Sequence, residues 1–77
     1  MKIFLGNLSY DVQDENVHKF FSDCGTITQL RWLTSRETGE FRGQGYAEFG
    51  STEEADKAVL LNGKKLLGRK MVIDWAE

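Results

Sequence analysis

Residues 42–49 of the chain read Arg42-Gly43-Gln44-Gly45-Tyr46-Ala47-Glu48-Phe49. Side chains of a β-strand point alternately to its two faces, so these residues divide into two sets. The glycines, the alanine and the phenylalanine form a small or apolar set, which we expect to face a core. The other set combines a cation, an amide, an aromatic ring and a carboxylate: Arg42, Gln44, Tyr46 and Glu48. The pattern predicts a strand that shows this second face to a nucleic acid, because a base can stack on Tyr46 while Arg42 reaches a phosphate.

A second segment with strand character lies near the N-terminus and reads Ile3-Phe4-Leu5-Gly6-Asn7-Leu8. The same alternation places Ile3 and Leu5 toward the core and Phe4 on the opposite face. The two segments are separated by about 38 residues. That distance leaves room for a helix and a strand between them.

These two segments resemble the two signatures of the RNA recognition motif (RRM) family. The longer signature is basic-Gly-aromatic-Gly-aromatic-aliphatic-x-aromatic, and the shorter is aliphatic-aromatic-aliphatic-x-Asn-Leu. The resemblance runs from Lys2 to about Ala76 and departs at Gln44, where the family usually has its first aromatic residue. Residues 31–43 are loosely similar to nucleolin-type and related proteins with several RRMs.

The order of elements predicts an α+β, ferredoxin-like βαββαβ fold with both helices on one face of a four-stranded antiparallel sheet. Helix 1 is predicted from about Asp14 to Cys24, with a 3.6-residue apolar stripe, and helix 2 starts at a capping box at residues 51–54 and ends at Asn62-Gly63. We place strands at 2–7, 27–33, 42–49 and 71–76, a polar loop at 34–41 and a hairpin-like piece at 64–69. The open sheet face should carry Phe4, Tyr46, Leu33 and Val72, whereas Trp32 and Trp75 are predicted to pack on the other side.

Length and composition limit the classes of protein. Seventy-seven residues, 40% of them hydrophobic and 29% charged, predict one globular domain at 1–77. No apolar run reaches the ~20 residues needed to span a bilayer, so we expect no membrane partner. The one cysteine, Cys24, forms neither an internal disulfide nor a zinc site, so we expect a reducing intracellular compartment, a buried packing role and no metal or cofactor.

The net charge of −2 is not that of a strongly basic nucleic-acid binder. Its distribution matters more than its sum. The acidic residues concentrate in the predicted helices and their flanks, whereas Arg31 and Arg42 lie on strands and Lys2 and Lys70 lie close to strand starts. The sequence therefore predicts a molecule that is acidic behind the sheet and mildly basic on its open face.

The RRM resemblance implies a role for each matching position. Phe4 and Tyr46 match the positions that stack successive bases, and Arg42 matches the basic residue that contacts the phosphate backbone. Gln44 replaces a third aromatic ring and keeps only hydrogen-bonding capacity. Positions at which contacts with the sheet face or terminal strand are often made correspond to Asn7, Arg31, Asp74 and Ala76.

Two stacking rings contribute about 2–6 kcal/mol, whereas a 1 μM dissociation constant requires about 8.2 kcal/mol. We therefore expect weak to moderate binding of two to four nucleotides of single-stranded RNA by a monomer. Useful affinity would come from neighbouring RRM domains or protein partners of a larger protein from which this domain is excised. The resemblance implies a nuclear, including nucleolar, location.

Two other classes of function share this topology. A protein-interaction module would bind a peptide through its helical face, using an acidic first helix and an Arg-x-Phe loop. Here Asp14, Glu15 and Asp23 supply acid, but residues 69–71 read Arg-Lys-Met. An acylphosphatase-like enzyme needs an arginine in the loop after the first strand, and this loop has none. His18 lies on the solvated side of helix 1 without a partner nucleophile, so we expect no enzymatic activity.

Overall fold

The computed structural model describes residues 1–76. Its helices and strands are, in chain order, β1 (Lys2–Gly6), α1 (Asp14–Phe20), β2 (Ile27–Thr34), β3 (Phe41–Phe49), α2 (Thr52–Val59), β4 (Lys65–Leu66), β5 (Arg69–Lys70) and β6 (Val72–Trp75). No helix within this part of the chain is long and apolar enough to cross a membrane.

The main sheet has the order β2-β3-β1-β6, and all neighbouring strands are antiparallel. Its inward residues pack with residues of both helices in one hydrophobic cluster, which includes Ile3, Ala47, Val17 and Ala55. Both helices therefore cover the same face of the sheet. The predicted ferredoxin-like fold is confirmed, and the predicted hairpin-like piece is the small β4–β5 pair.

The two helices are shorter than predicted. Helix α1 ends at Phe20 instead of Cys24, because the amides of Cys24 and Gly25 both donate to the Phe21 carbonyl in a tight turn. Its apolar stripe still reaches the core, since Val17, Phe21 and Cys24 are buried. Helix α2 ends at Val59, three residues before the predicted stop, and turns follow it.

One half of the predicted capping box forms at the start of α2, because within residues 1–76 the Glu54 side chain makes no hydrogen bond back to the Ser51 amide. The Ser51 hydroxyl accepts a hydrogen bond from the Glu54 amide at 3.3 Å. This bond satisfies one of the amides that the first turn of a helix leaves without an intrahelical partner. The acidic residues Glu53 and Glu54 lie in that first turn, where they complement the helix dipole.

The single cysteine has the predicted packing role. Cys24 is buried beside Phe21 and Ile27 in the hydrophobic cluster. Burial, with the nearby Asp23 carboxylate, raises the pKa of its thiol above the ordinary value. A raised pKa lowers the thiolate fraction at neutral pH, so this thiol is a weak nucleophile.

The last strand bears out the predicted alternation only in part. Ile73 is buried and Val72 is exposed, so these residues face the core and the open side respectively. Trp75 lies directly opposite the buried Ile3, on the helical side of the sheet, as its parity predicts. It is nevertheless 38% exposed, at the last residue of β6.

Candidate functional site

Strand pairing aligns four side chains in one row across the open face. Arg31 of β2 pairs with Tyr46 of β3, Tyr46 pairs with Phe4 of β1, and Phe4 pairs with Asp74 of β6. The row therefore places a cation at one side, two aromatic rings in the middle and a carboxylate at the other side. We call these four residues the central row.

The two rings of the central row touch each other without stacking. Their centroids are 5.9 Å apart and their planes are inclined by 63°, an edge-to-face arrangement. Both rings are half-buried, and they lie on the two inner strands of the sheet. Lys2 Nζ lies 5.7 Å from the Tyr46 ring centroid, within range of a cation–π contact.

The Phe4 ring lies over Gly6, and this close approach requires a glycine. A Cβ atom added at Gly6 would stand 2.8 Å from Cε2 and 3.1 Å from Cζ of Phe4. Real Cβ atoms do not make a contact of 2.8 Å, so a larger residue at this position must shift the ring. The glycine of the N-terminal segment therefore sets the position of the first aromatic side chain.

The segment at 42–49 alternates as predicted. Its small or apolar set is buried, whereas Arg42 and Gln44 are exposed and Tyr46 and Glu48 are half-buried. Within residues 1–76, neither the Arg42 guanidinium nor the Gln44 amide makes a hydrogen bond or an ion pair. Both groups are available to a ligand that lies on the open face.

Asn7 is committed to contacts within the protein. Its side-chain amide donates to the Lys70 carbonyl at 2.7 Å, and its side-chain oxygen accepts from Arg69 Nη2. Its backbone carbonyl also accepts from Arg69 Nε at 3.3 Å. These bonds fasten the end of β1 to the β4–β5 hairpin, and the φ of 55° at Asn7 turns the chain there.

The remaining predicted contact residues lie at the edges of the open face. Arg31 is exposed on β2, an outer strand. Asp74 is exposed, and its carboxylate accepts from the Trp75 amide at 2.8 Å. Ala76 is half-buried, and its amide donates to the Lys2 carbonyl at 3.1 Å, which leaves its carbonyl as the available polar group.

Charge is distributed as the sequence predicts. Strand pairing places Lys2 and Arg31 on the open face with Glu48 and Asp74, and alternation along β3 adds Arg42. Among residues 1–76 the cations of this face therefore exceed its carboxylates by one. The helices carry mostly acidic exposed residues at their first turns. The open face is therefore mildly basic in a chain that is acidic overall.

Trp32 packs partly into the core, as predicted. It is half-buried, its ring centroid is 5.3 Å from that of Phe41, and its indole Nε1 donates to Asp14 Oδ1 at 2.6 Å. This hydrogen bond ties β2 to the start of α1. The same bond occupies Asp14, the first acidic residue of the helix that a peptide-binding module would use.

One exposed aromatic residue was missed by the sequence reasoning. Tyr10 lies in the β1–α1 loop with 75% of its surface exposed, and its ring meets Phe41 edge-to-face at 5.9 Å. Nothing in the alternation or helical periodicity marks it, because it belongs to neither a strand nor a helix. The sequence feature that could have identified Tyr10 is an aromatic residue within an otherwise polar turn.

The chain matches proteins of known family over nearly its whole length. The family model described as RNA recognition motif matches residues 3–72. Nucleolin 1 of Arabidopsis thaliana is 41% identical over 75 residues, which cover 97% of this chain and 14% of nucleolin 1. RbpB of a Nostoc strain is 37% identical over 78 residues, which cover 100% of this chain and 76% of RbpB.

A solved structure with RNA has the same fold. The structure of the Rna15 RRM with bound RNA (GU) superposes with a TM-score of 0.83 at 27% sequence identity, over 99% of this chain and 82% of that one. The chain thus matches most of that RRM and of RbpB, but only 14% of the length of nucleolin 1.

Proposed function

Because the chain belongs to the RNA recognition motif family, whose members are single-stranded RNA-binding modules, we propose that it binds single-stranded RNA on the open face of its sheet. The observation that carries the proposal is the central row, in which two half-exposed rings lie side by side on the inner strands. Each ring offers a surface for one base, and base–aromatic stacking tolerates any sequence because every base has a π face.

Phe4 and Tyr46 are the proposed stacking residues. In an edge-to-face pair neither ring lies flat against the other, so an incoming base need not displace a stacked ring. Lys2 near the Tyr46 ring adds positive charge at the point where a sugar-phosphate backbone would pass. The arrangement suits two adjacent nucleotides of one strand.

Arg42 and Gln44 are the proposed polar contacts on β3. The Arg42 guanidinium can pair with a phosphate, because it has no partner among residues 1–76. The Gln44 amide can hydrogen-bond a base edge or a 2′-hydroxyl but offers no stacking surface. This chain therefore has one aromatic stacking surface fewer on β3 than the family pattern implies.

The edge residues complete the proposed surface. Arg31 lies next to Tyr46 and can reach a phosphate, whereas Asp74 lies next to Phe4 and can accept from an exocyclic amino group of a base. Ala76 offers its backbone carbonyl. Asn7 contributes by holding the hairpin against the end of β1, since its amide is already bonded.

The affinity of the isolated domain should be weak to moderate. Two stacked bases supply about 2–6 kcal/mol before ordering costs, against about 8.2 kcal/mol for a 1 μM dissociation constant. We propose a single, monomeric domain at 1–77 that acts beside further RNA-binding domains or protein partners of a larger protein, which would raise the effective concentration of RNA. The likeness to one part of nucleolin 1 supports this arrangement.

Location and lack of catalysis are also parts of the proposal. The plant nucleolin relatives support a nuclear or nucleolar location, whereas the Nostoc relative RbpB supports RNA binding without a location. The RNA recognition motif is a fold for RNA binding rather than catalysis, so we propose that this chain is not an enzyme.

Peptide binding by the helical face has less support, because Asp14 is bonded to Trp32 and Met71 is buried.

The proposal is tested by titrating ¹⁵N-labelled protein with a random-sequence tetraribonucleotide pool. We expect the backbone resonances of Phe4, Arg42 and Tyr46 to shift, with those of α1 and α2 unaffected. A Leu60→Ala variant, altered at an 81% exposed residue beyond α2, should bind like the parent. No shift on the open face at millimolar RNA, or shifts confined to α1, would overturn the proposal, and the latter would favour the helical face.

A further inference from the structure

We infer that the RNA-binding surface extends beyond the central row to a second subsite at Tyr10, which takes the base of one further nucleotide of the same strand. This inference rests on the proposed function and adds to it. The Tyr10 subsite consists of the Tyr10 ring and the depression beside it, lined by Asn7, Leu8, Arg42, Gly43, Gln44 and Arg69.

The Tyr10 ring is exposed but held in place. Its edge-to-face contact with Phe41 has a centroid distance of 5.9 Å, and a Cβ atom at Gly43 would lie only 3.1 Å from Tyr10 Cε1. The loop is pinned to β3, since the Leu8 amide donates to the Gly43 carbonyl at 2.9 Å. With 75% of its surface open, the ring is a preorganised platform that the core does not require.

The charge beside Tyr10 complements a phosphate backbone. The depression is lined by two cationic residues, Arg42 and Arg69, and by no acidic residue among residues 1–76. Among residues 1–76, the Arg69 side chain bonds to Asn7 alone, which is neutral, so no carboxylate in this part of the chain pairs with its charge. A separate hollow that also touches Tyr10 and Arg42 contains the acidic residue Glu40, so the depression with two arginines and no acidic residue suits an anionic strand better.

The Tyr10 subsite continues the central row. Gln44 and Arg42 lie two and four residues before Tyr46 on the same strand, and each step of two residues advances about 7 Å along β3. A strand of RNA that leaves Tyr46 in this direction passes Gln44, which has no ring, and then reaches Arg42 and Tyr10. The loop tyrosine thus supplies a stacking surface close to the position at which β3 lacks one.

The choice of RNA over a peptide follows from these charges. Two arginines that have no carboxylate partner among residues 1–76 lie beside an exposed ring, and this arrangement matches the alternation of phosphate and base in a nucleic acid. A peptide would need to be acidic to use the same groups. Peptide binding is therefore an outcome that the experiment must be able to reveal.

The experiment compares two random-sequence RNA pools, dinucleotides and hexanucleotides, in nuclear magnetic resonance titrations. A dinucleotide on Phe4 and Tyr46 does not reach Tyr10, whereas a hexanucleotide does. In the parent protein we expect the Tyr10 ring resonances to shift with hexanucleotides more than with dinucleotides. Tyr10→Ala should weaken hexanucleotide binding by about fivefold or more and leave dinucleotide binding unchanged, whereas Tyr10→Phe, which keeps the ring, should stay within about twofold of the parent.

The outcomes separate the two proposals. If Tyr46→Ala weakens binding of both pools but Tyr10→Ala changes neither, the subsite is wrong and the central-row proposal stands. If neither pool binds, both are wrong. Should Tyr10→Ala leave hexanucleotide binding intact while abolishing capture of an acidic peptide, the loop surface is a peptide site and the inference is overturned. Amide spectra of the variants, unchanged outside the loop and β3, confirm that they fold.

Discussion

Phe4 and Tyr46 lie directly opposite each other on the two inner strands, with ring centroids 5.9 Å apart and ring planes inclined by 63°. Neither ring is part of the buried core, which forms on the other face from Ile3, Ala47 and their neighbours. An aromatic pair of this kind adds only about 0.2–1 kcal/mol to the stability of a sheet. Its exposure is better explained by a ligand than by folding.

Replacement of Tyr46 by alanine should weaken RNA binding by about 1–3 kcal/mol, because one stacking surface is lost. Tyr46→Phe keeps the ring and should bind nearly as the parent does. Titration with a tetraribonucleotide pool measures both variants. Equal affinity of Tyr46→Ala and the parent would show that the ring does not contact a base.

Gln44→Phe should leave RNA affinity unchanged or tighten it, because the substitution restores the aromatic ring of the family pattern at an exposed position. Gln44→Ala serves as the matched control without ring or amide. A weaker Gln44→Phe complex, with a similar loss in Gln44→Ala, would instead show that the amide itself hydrogen-bonds RNA.

Gly6→Ala should weaken RNA binding without removing any polar group. The added Cβ would lie 2.8 Å from the Phe4 ring and so must displace it. Gly50→Ala is the control, because its Cβ would lie 3.4 Å or more from its neighbours. Affinity and the Phe4 ring shifts are measured together, and an unmoved ring with parental affinity would contradict the expectation.

Arg42→Gln should reduce the salt dependence of RNA binding. Loss of one phosphate contact on a single strand lowers the slope of log K against log salt concentration by about 0.7. Arg42→Lys keeps the charge and should preserve the slope. Titrations at several salt concentrations provide the measurement, and an unchanged slope in Arg42→Gln would place Arg42 away from any phosphate.

Asn7 should matter for stability more than for RNA affinity. Asn7→Gly tolerates the φ of 55° but loses the side-chain bonds to Lys70 and Arg69, so the free energy of unfolding should fall by about 1–3 kcal/mol. Asn7→Ala should cost about 1 kcal/mol more because of backbone strain. Denaturant unfolding measures both. Parental stability of Asn7→Gly with weakened RNA binding would reassign the amide to RNA.

Most of the fold could be predicted from the sequence because local patterns determine it. The alternation at 42–49 identifies the buried face of β3, and Ser51 and Glu54 mark the start of α2 through a bond between near neighbours. The predicted ends of the helices were less accurate. A tight turn at Phe21 competes with a further helical turn, and only tertiary packing decides between them.

The candidate site was predictable only where it lies on strands. The alternation of side chains along a strand predicts which face Phe4 and Tyr46 occupy. Their contact with each other depends on the pairing of β1 with β3, two segments that are far apart in the sequence. The bonds from Asn7 join residues more than sixty positions apart, and the Tyr10 ring is fixed by Phe41 on another strand. No local pattern encodes such contacts.

The most direct test is a search for intermolecular nuclear Overhauser effects between the ring protons of Phe4 and Tyr46 and the base protons of a bound tetraribonucleotide. We expect effects from both rings to successive nucleotides, with none from the exposed Leu60. Effects that are absent from both rings while RNA binds elsewhere, for example on α1 or α2, would contradict the open face as the RNA-binding surface.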